Sequence, residues 1–160
     1  MKKPKDTSWK KAHKWYDSLV DKEGHFFHKE LIFPKIFESI KLKENDSFLD
    51  IGCGQGVLAR RLPEKNLYYG VDLAGPLLEK ARSYGELKSR HFIKKDACAP
   101  FNLDKTDFTY ATMILSLQNM AKPEVALQNA RAHLGETGTL ILVLNHPCFR
   151  IPPPRCHTSP

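Results

Sequence analysis

The sequence lacks the features that mark several large classes of protein. No stretch approaches the roughly 20 consecutive apolar residues that a membrane-spanning helix needs, and the lysine-rich start is not followed by the apolar segment of a secretory signal. The four cysteines are Cys53, Cys98, Cys148 and Cys156, and no two of them form a CxxC pair. Neither a disulfide framework nor a zinc site is therefore expected. We expect a cytoplasmic protein with reduced thiols, no membrane contact and no bound metal.

The chain is short and carries an excess of positive charge. Its 160 residues, 41% of them hydrophobic, suffice for one domain. Lysine and arginine number 25 against 18 aspartates and glutamates, which gives a net charge of +7 and permits an acidic partner without identifying one. Much of the excess lies in the first fourteen residues, which carry no recognised nucleic-acid-binding motif. We expect a solvated basic tail there and keep contact with nucleic acid as the alternative.

The first 44 residues are predicted to be helical. Apolar residues recur at helical spacing over Trp9–Val20, and a second apolar face covers Leu31–Ile40. Pro34 should kink or divide the second helix, because proline lacks an amide hydrogen and clashes with the preceding turn. We expect residues 1–44 to form an N-terminal helical cap.

From Ser47 onward, short apolar runs alternate with helical patterns. This alternation predicts an α/β fold, with a Rossmann-like parallel sheet covered by helices on both faces, over residues 45–145. The predicted strands are Ser47–Ile51, Leu67–Val71, Arg90–Lys94, Asp107–Leu115 and Thr139–Leu144, and the predicted helices between them are Val57–Leu62, Pro76–Arg82 and Glu124–Leu134. Residues 146–160 are rich in proline and are predicted to form an irregular tail.

A glycine-rich turn follows the first predicted strand. Gly52, Gly54 and Gly56 stand at alternate positions before a predicted helix. A backbone without Cβ atoms lets a ligand lie against the strand end and the helix N-terminus, so the turn predicts a nucleotide-like cofactor. The spacing departs from the dinucleotide fingerprint GxGxxG, because the third glycine comes one residue early, and it is not the phosphate loop GxxxxGK.

Acidic residues stand at the ends of three successive predicted strands. Asp50, Asp72 and Asp96 share the carboxyl edge of the sheet, where open α/β sheets bind ligands. Asp72 is placed to accept both hydroxyls of a ribose, although each of the three is also a common turn or cap residue. A carboxylate just before the glycines suits a cationic ligand better than a pyrophosphate. Together these residues predict a nucleoside with a positive end as the ligand.

Three segments resemble one enzyme family. LDIGCGQG resembles the first motif of class I S-adenosylmethionine-dependent methyltransferases, GVDLAGPLLEKAR resembles their second strand and following helix, and KKDACAP resembles their adenine-contacting turn. The resemblance extends over Phe48–Leu144. WYDSLVDKEGHFFHKELIFPK resembles the helices that roof the cofactor in the small-molecule, ubiquinone-biosynthesis-like branch. The resemblance implies an enzyme that moves a methyl group from S-adenosylmethionine to a small-molecule acceptor.

The resemblance also implies which residues bind the cofactor. Asp72 would hold the ribose hydroxyls, Leu73 would pack on the adenine face, and Asp96 with the amide of Ala97 would meet the adenine edge. The implied cofactor-binding residues are Asp50, Gly52, Cys53, Gly54, Gly56, Asp72, Leu73, Asp96, Ala97 and Leu115.

The reacting end of the implied cofactor is less fully specified. The resemblance puts Asp50 and Gly52 near the methionine moiety, and Leu115–Gln118 beside the sulfonium and the acceptor. Methyl transfer is an in-line displacement in which positioning can supply up to roughly 7–11 kcal/mol, so a catalytic base is optional. The weak candidates for a base are His146, directly after the fifth strand, and His28, in the predicted helical roof.

The C-terminal part departs from the family pattern. Class I methyltransferases have seven strands and five are predicted here, so the resemblance implies a chain that is truncated or altered after Leu144. The fifth strand would then be an apolar sheet edge that favours self-association. Two alternatives to a small-molecule enzyme stay open, namely an RNA methyltransferase that uses the basic N-terminus and a catalytically inert cofactor-binding remnant.

Overall fold

A single parallel sheet forms the centre of the computed structural model, which describes residues 26–85 and 87–146. Its strands are β1 (Ser47–Ile51), β2 (Leu67–Asp72), β3 (Arg90–Lys94), β4 (Phe108–Ile114) and β5 (Leu134–Val143). Their spatial order is β3-β2-β1-β4-β5, and all neighbours are parallel. The predicted Rossmann-like α/β fold is confirmed, and each predicted strand has its counterpart.

Helical segments connect and cover these strands. In chain order they are a π-helical turn (His28–Ile32), α1 (Phe33–Ser39), α2 (Gly75–Ser83), a 3-10 turn (Leu117–Asn119) and α3 (Pro123–His133). The π-helical turn passes directly into α1, with helical dihedral angles at Ile32 and Phe33, so Pro34 does not interrupt the helical backbone. Pro34 lies in the first turn of α1, where proline is tolerated. None of the described helices has both the length and the apolar character to cross a membrane.

Apolar side chains cover both faces of the sheet. On one face Phe48 and Tyr68 pack with Ile36 of α1 and Leu78 of α2. On the other face the alternate residues of the strands, such as Leu49, pack with Ala126 and Ala130 of α3. Strands that are buried on both faces read as nearly continuous apolar runs, which is why the strand pattern was visible in the sequence.

The predicted helix Val57–Leu62 is wrong in its backbone, although its apolar side chains are buried. Residues 54–61 form successive hydrogen-bonded turns rather than a regular α-helix. Gly56 has a φ of +70°, outside the helical range, and Pro63 ends the segment six residues after Val57 begins it. Too few residues remain between these two breaks for a stable helix.

The start of β5 also differs from the expectation. The strand was predicted from Thr139, but β5 begins at Leu134, directly after α3, and so includes Gly135 and Gly138. The pairing of β4 with β5 shifts register between Phe108 and Tyr110, and this irregularity accommodates the extra residues.

Several predictions fall on other parts of the chain. The predicted helix Trp9–Val20 and the proline-rich segment from Pro147 lie outside the described residues, so the helical cap 1–44 and the irregular tail 146–160 stay predictions. In the described sheet β5 pairs with β4 alone, so β3 and β5 are the two edge strands of the sheet.

Self-association through the edge of β5 stays a prediction.

Candidate functional site

The site is built around a carboxylate at the end of the central strand. Asp50 of β1 lies opposite Gly70 of β2 on one side and Thr112 of β4 on the other. Its side chain is only 3% exposed. The hydroxyl of Tyr68 donates to one carboxylate oxygen at 2.8 Å, and that of Thr112 donates to the other at 2.7 Å. The carboxylate is thus held by donors from both neighbouring strands.

Burial changes the acidity of this carboxylate. It raises the pKa of Asp50 from 3.8 to about 6, because the charged form loses its hydration. The hydrogen bonds from Thr112 and Tyr68 act in the opposite direction, and the nearby charge of Asp72 adds to the increase. Asp50 therefore changes its charge close to neutral pH.

Gly70 provides the space that lets Tyr68 reach Asp50. A Cβ at Gly70 would lie 2.9 Å from Cε1 of Tyr68 and 2.8 Å from Sγ of Cys53. Contacts this short would displace one or both side chains. The glycine opposite Asp50 is therefore part of the arrangement that orients the carboxylate.

A small cavity opens beside Asp50. Its volume is about 30 Å³, enough for one or two groups the size of water. His28 of the π-helical turn and Phe33 of α1 form part of the cavity wall, and their rings stack with centroids 5.7 Å apart. The lining residues are His28, Phe33, Asp50, Gly52, Cys53, Val57, Leu58 and Ile114. Of the two candidate bases, His28 lines this cavity, whereas His146 is exposed after β5 and does not.

The glycine turn packs tightly against the chain itself. Gly52 has a φ of +78°, which other residues rarely adopt, and a Cβ there would lie 2.5 Å from Cβ of Ser116. A Cβ at Gly56 would lie 2.7 Å from the ring of Phe92. The glycines were predicted to let a ligand approach the backbone. At Gly52 and Gly56, however, the space left by the absent Cβ atom is occupied by side chains of the protein, Ser116 and Phe92.

Asp72 joins the glycine turn to the turn after β2. One of its carboxylate oxygens accepts the amide hydrogen of Gly54 at 2.8 Å, and the other accepts that of Ala74 at 2.7 Å. Burial raises the pKa of Asp72, while the hydrogen bonds from the backbone of Ala74, Gly54 and Leu73 oppose the increase. The two carboxylate oxygens have four lone pairs between them, so these three backbone donors leave capacity for a further donor. The adjacent Leu73 side chain is 54% exposed.

The turn after β3 has a different internal arrangement. Asp96 is exposed, and its carboxylate accepts the amide hydrogen of Cys98 at 2.8 Å, as in an Asx-turn. Ala97 is buried. The side-chain amide of Asn129 in α3 donates to the carbonyls of Ala97 and Ala99 at 3.1 and 2.9 Å. The turn is therefore held in place from the helix behind it.

Leu115 turns the chain sharply at the end of β4. Its φ is +52°, a left-handed conformation that is uncommon for a residue with a side chain. Its amide donates to the carbonyl of Val143 at 2.8 Å. The turn brings Ser116 against Gly52, where its hydroxyl donates to the carbonyl of Ile51 at 2.8 Å. The loop after β4 is thereby bonded to the end of β1.

The structure thus brings most of the predicted residues to one edge of the sheet. Asp50, Asp72 and Leu115 lie at the ends of adjacent strands β1, β2 and β4, with the glycine turn between them. The sequence analysis missed four residues that hold this arrangement, namely Tyr68, Thr112, Ser116 and Asn129. The one signal available in the sequence was the polar residue Thr112 within a largely apolar strand. In the sheet this residue lies directly opposite Asp50.

Comparison with known proteins relates this chain to a family of enzymes. Residues 49–140 match the family described as a methyltransferase domain. Carboxy-S-adenosyl-L-methionine synthase of Desulfotalea psychrophila is 34% identical over 80 residues, which cover 47% of this chain and 33% of that protein. Ubiquinone biosynthesis O-methyltransferase of Haemophilus ducreyi is 27% identical over 151 residues, which cover 82% of this chain and 58% of that protein. The chain thus spans between a third and three fifths of the length of these curated relatives.

A solved structure shares the fold. A chain from the complex between the Haloferax volcanii Trm112 methyltransferase activator and a methyltransferase superposes with a TM-score of 0.71. The match covers 91% of this chain and 62% of that one, at 18% sequence identity. At this identity the similarity shows the fold alone, and it agrees with the Rossmann-like sheet.

The raised pKa of Asp50 predicts a pH-dependent stability. A pKa higher in the folded than in the unfolded state means that stability is lost as pH rises from 3.8 to about 6. The shift corresponds to about 3 kcal/mol. Asp50→Asn removes this titration, so its free energy of unfolding relative to wild type should increase by about 3 kcal/mol between about pH 3 and pH 7. Urea unfolding at a series of pH values measures this difference, and a difference that does not vary with pH would contradict the assignment.

Proposed function

This chain belongs to the methyltransferase domain family, and we propose that it binds S-adenosylmethionine at the carboxyl ends of β1–β3 and transfers the methyl group to a small-molecule acceptor. S-adenosylmethionine is the cofactor that the family implies. The observation that carries the proposal is a pair of carboxylates, the buried Asp50 and the partly buried Asp72, held on either side of a glycine turn at the ligand-binding edge of a parallel sheet. A relative named for ubiquinone biosynthesis supports a small-molecule acceptor.

The residues at the sheet edge fit the parts of this cofactor. Beside its backbone donors, the Asp72 carboxylate retains acceptor capacity for a ribose hydroxyl. The exposed Leu73 side chain offers an apolar surface for the adenine face. The turn that Asn129 holds would present Asp96 and the Ala97 amide to the adenine edge.

The methionine end is assigned to the cavity beside Asp50. Gly52 and Cys53 line this cavity together with the carboxylate. Gly54 and Gly56 complete the turn, and Leu115, at the end of β4, would border the bound cofactor. A carboxylate in this position is complementary to a ligand that carries positive charge.

The bound cofactor would supply a methyl group attached to a positively charged sulfur, which is a good leaving group because it would leave as a neutral thioether. The work of the protein is then chiefly to orient the two reactants and to exclude water. Hydrogen bonds accepted by Asp72 and donated by Ser116 hold the loops at both sides of the glycine turn, so the site is preorganised. His28 is the candidate proton acceptor that lines the cavity, and it would act where the acceptor is a hydroxyl or a protonated amine.

The ribose assignment predicts the effect of removing Asp72. In Asp72→Ala the affinity for S-adenosylhomocysteine should fall by about 1–3 kcal/mol, the usual loss for a hydrogen bond to a charged group. The variant should also unfold at a lower temperature, because Gly54 and Ala74 lose their acceptor. Isothermal titration calorimetry, at a temperature where the protein is folded, measures the affinity.

Asp46→Ala is the matched control for this loss of stability. Asp46 is buried and accepts the amide hydrogen of Lys43 at 2.7 Å, in the turn before β1 at the opposite edge of the sheet. Its removal should reduce stability without changing the affinity. Unchanged affinity in Asp72→Ala, or an equal loss in Asp46→Ala, would contradict the ribose assignment.

The acceptor class is tested by following the methyl group. Wild-type protein and Asp72→Ala are each incubated with a cell extract and methyl-labelled S-adenosylmethionine, and the extract is separated into small molecules, RNA and protein. We expect label in the small molecules from wild type and much less from the variant. Label in RNA, with an affinity that falls steeply as salt increases, would contradict the small-molecule acceptor. No label from either protein would favour an inert cofactor-binding remnant.

A further inference from the structure

The proposed function leaves unexplained why two hydroxyl groups are directed at Asp50 from opposite sides. We propose that Tyr68 and Thr112 are positioning residues that set the charge and orientation of the Asp50 carboxylate, and that they thereby make the binding of a ligand's ammonium group dependent on pH. This inference rests on the proposed function, because S-adenosylmethionine carries an ammonium group at its methionine end.

The hydrogen-bond geometry gives each hydroxyl a defined role. A hydroxyl group has one hydrogen to donate, and the hydroxyls of Tyr68 and Thr112 are directed to different oxygens of Asp50, at 2.8 and 2.7 Å. Both side chains are fully buried, so water does not compete for these bonds. Donors directed at a carboxylate stabilise its charged form. If one of these donors were removed, the carboxylate would remain buried and would keep its proton up to a higher pH.

The surroundings of the carboxylate leave it as the group that changes charge. Burial raises the pKa of the Tyr68 hydroxyl and of the Cys53 thiol well above their usual ranges, so both stay neutral near pH 7. Ionisable or hydrogen-bonding groups face Asp50 from each element packed around it. They are Tyr68 and Asp72 of β2, Thr112 of β4, Cys53 of the glycine turn and His28 across the cavity. Histidine is the side chain whose unperturbed charge change falls near neutral pH, and His28 lines the same cavity, so the test must observe the carboxyl group itself.

The size of the cavity indicates which part of a ligand meets the carboxylate. About 30 Å³ accepts a group the size of water, and an ammonium group is of that size, whereas an adenine ring is far larger. An ionised Asp50 would attract the ammonium and a protonated one would not. Affinity for a ligand with the ammonium should therefore fall as pH decreases through the pKa of Asp50. A nucleoside without the amino-acid portion should show no such decrease.

The variants Tyr68→Phe and Thr112→Val each remove one hydroxyl and preserve the shape of the side chain. Thr112→Ser keeps the hydroxyl and serves as the conservative rescue. Tyr110→Phe is the matched control, because Tyr110 lies on the same face of the sheet and stacks on Phe48 at 5.0 Å, with its hydroxyl near Asp46 rather than Asp50.

Two measurements on these proteins test the inference. Carbon-13 NMR of the carboxyl group gives the pKa of Asp50 in the free protein. Calorimetry between about pH 5 and pH 8 gives the affinities for S-adenosylhomocysteine and for methylthioadenosine, which lacks the amino-acid portion.

We expect Tyr68→Phe and Thr112→Val to raise the pKa of Asp50 by about one unit, the scale of one hydrogen bond to a charged group. The pH at which S-adenosylhomocysteine affinity reaches half its maximum should increase by the same amount, giving a loss of about three- to tenfold near pH 6 and little change at pH 8. Methylthioadenosine affinity should stay constant in every protein. Thr112→Ser and Tyr110→Phe should behave as wild type.

Three outcomes would count against the inference. An unchanged pKa of Asp50 in both hydroxyl-deleting variants would overturn the role of Tyr68 and Thr112. A raised pKa with an unmoved pH profile of affinity would show that Asp50 does not meet the ammonium. If wild type binds neither ligand at any pH, the proposed function and the pH-dependent binding both fail, while the NMR titration still decides whether the two hydroxyls set the charge of Asp50.

Discussion

A buried carboxylate at the end of the central strand is the constraint on which the site depends. A charge removed from water destabilises the fold unless it is hydrogen-bonded. In the described sheet β1 lies between β2 and β4, and these two strands supply the donors Tyr68 and Thr112. Gly70 supplies the space that the tyrosine ring needs. The buried carboxylate thus depends on three residues of the adjacent strands.

The loops around this carboxylate are bonded to one another by the protein itself. Asp72 holds the glycine turn and the turn after β2, while Ser116 holds the loop after β4 to the end of β1. Because the protein's own groups bond these loops to one another, little conformational freedom would be lost when a ligand binds. It also means that Asp72 has both a structural and a proposed binding role. A change at this position alters stability and affinity together, which is why a control at the other edge of the sheet is needed.

Much of the fold was predictable because it depends on local patterns. The strands are short apolar runs, and parallel strands bring their carboxyl ends, with Asp50 and Asp72, to one edge. The predicted helix Val57–Leu62 failed because its apolar spacing is helical while the glycines and Pro63 leave too little room for a helix. The partners of Asp50 were not predictable, since Tyr68 and Thr112 are 18 and 62 residues away and their contact depends on strand register.

We propose that a positively charged nucleoside lies across the carboxyl ends of β1, β2 and β3. A crystal structure of the protein with S-adenosylhomocysteine would show whether it does. We expect the ribose hydroxyls within hydrogen-bond distance of Asp72, the adenine against Leu73, and the amino group in the cavity beside Asp50. A ligand bound at another part of the molecule, or strand ends covered by the protein's own side chains, would contradict it.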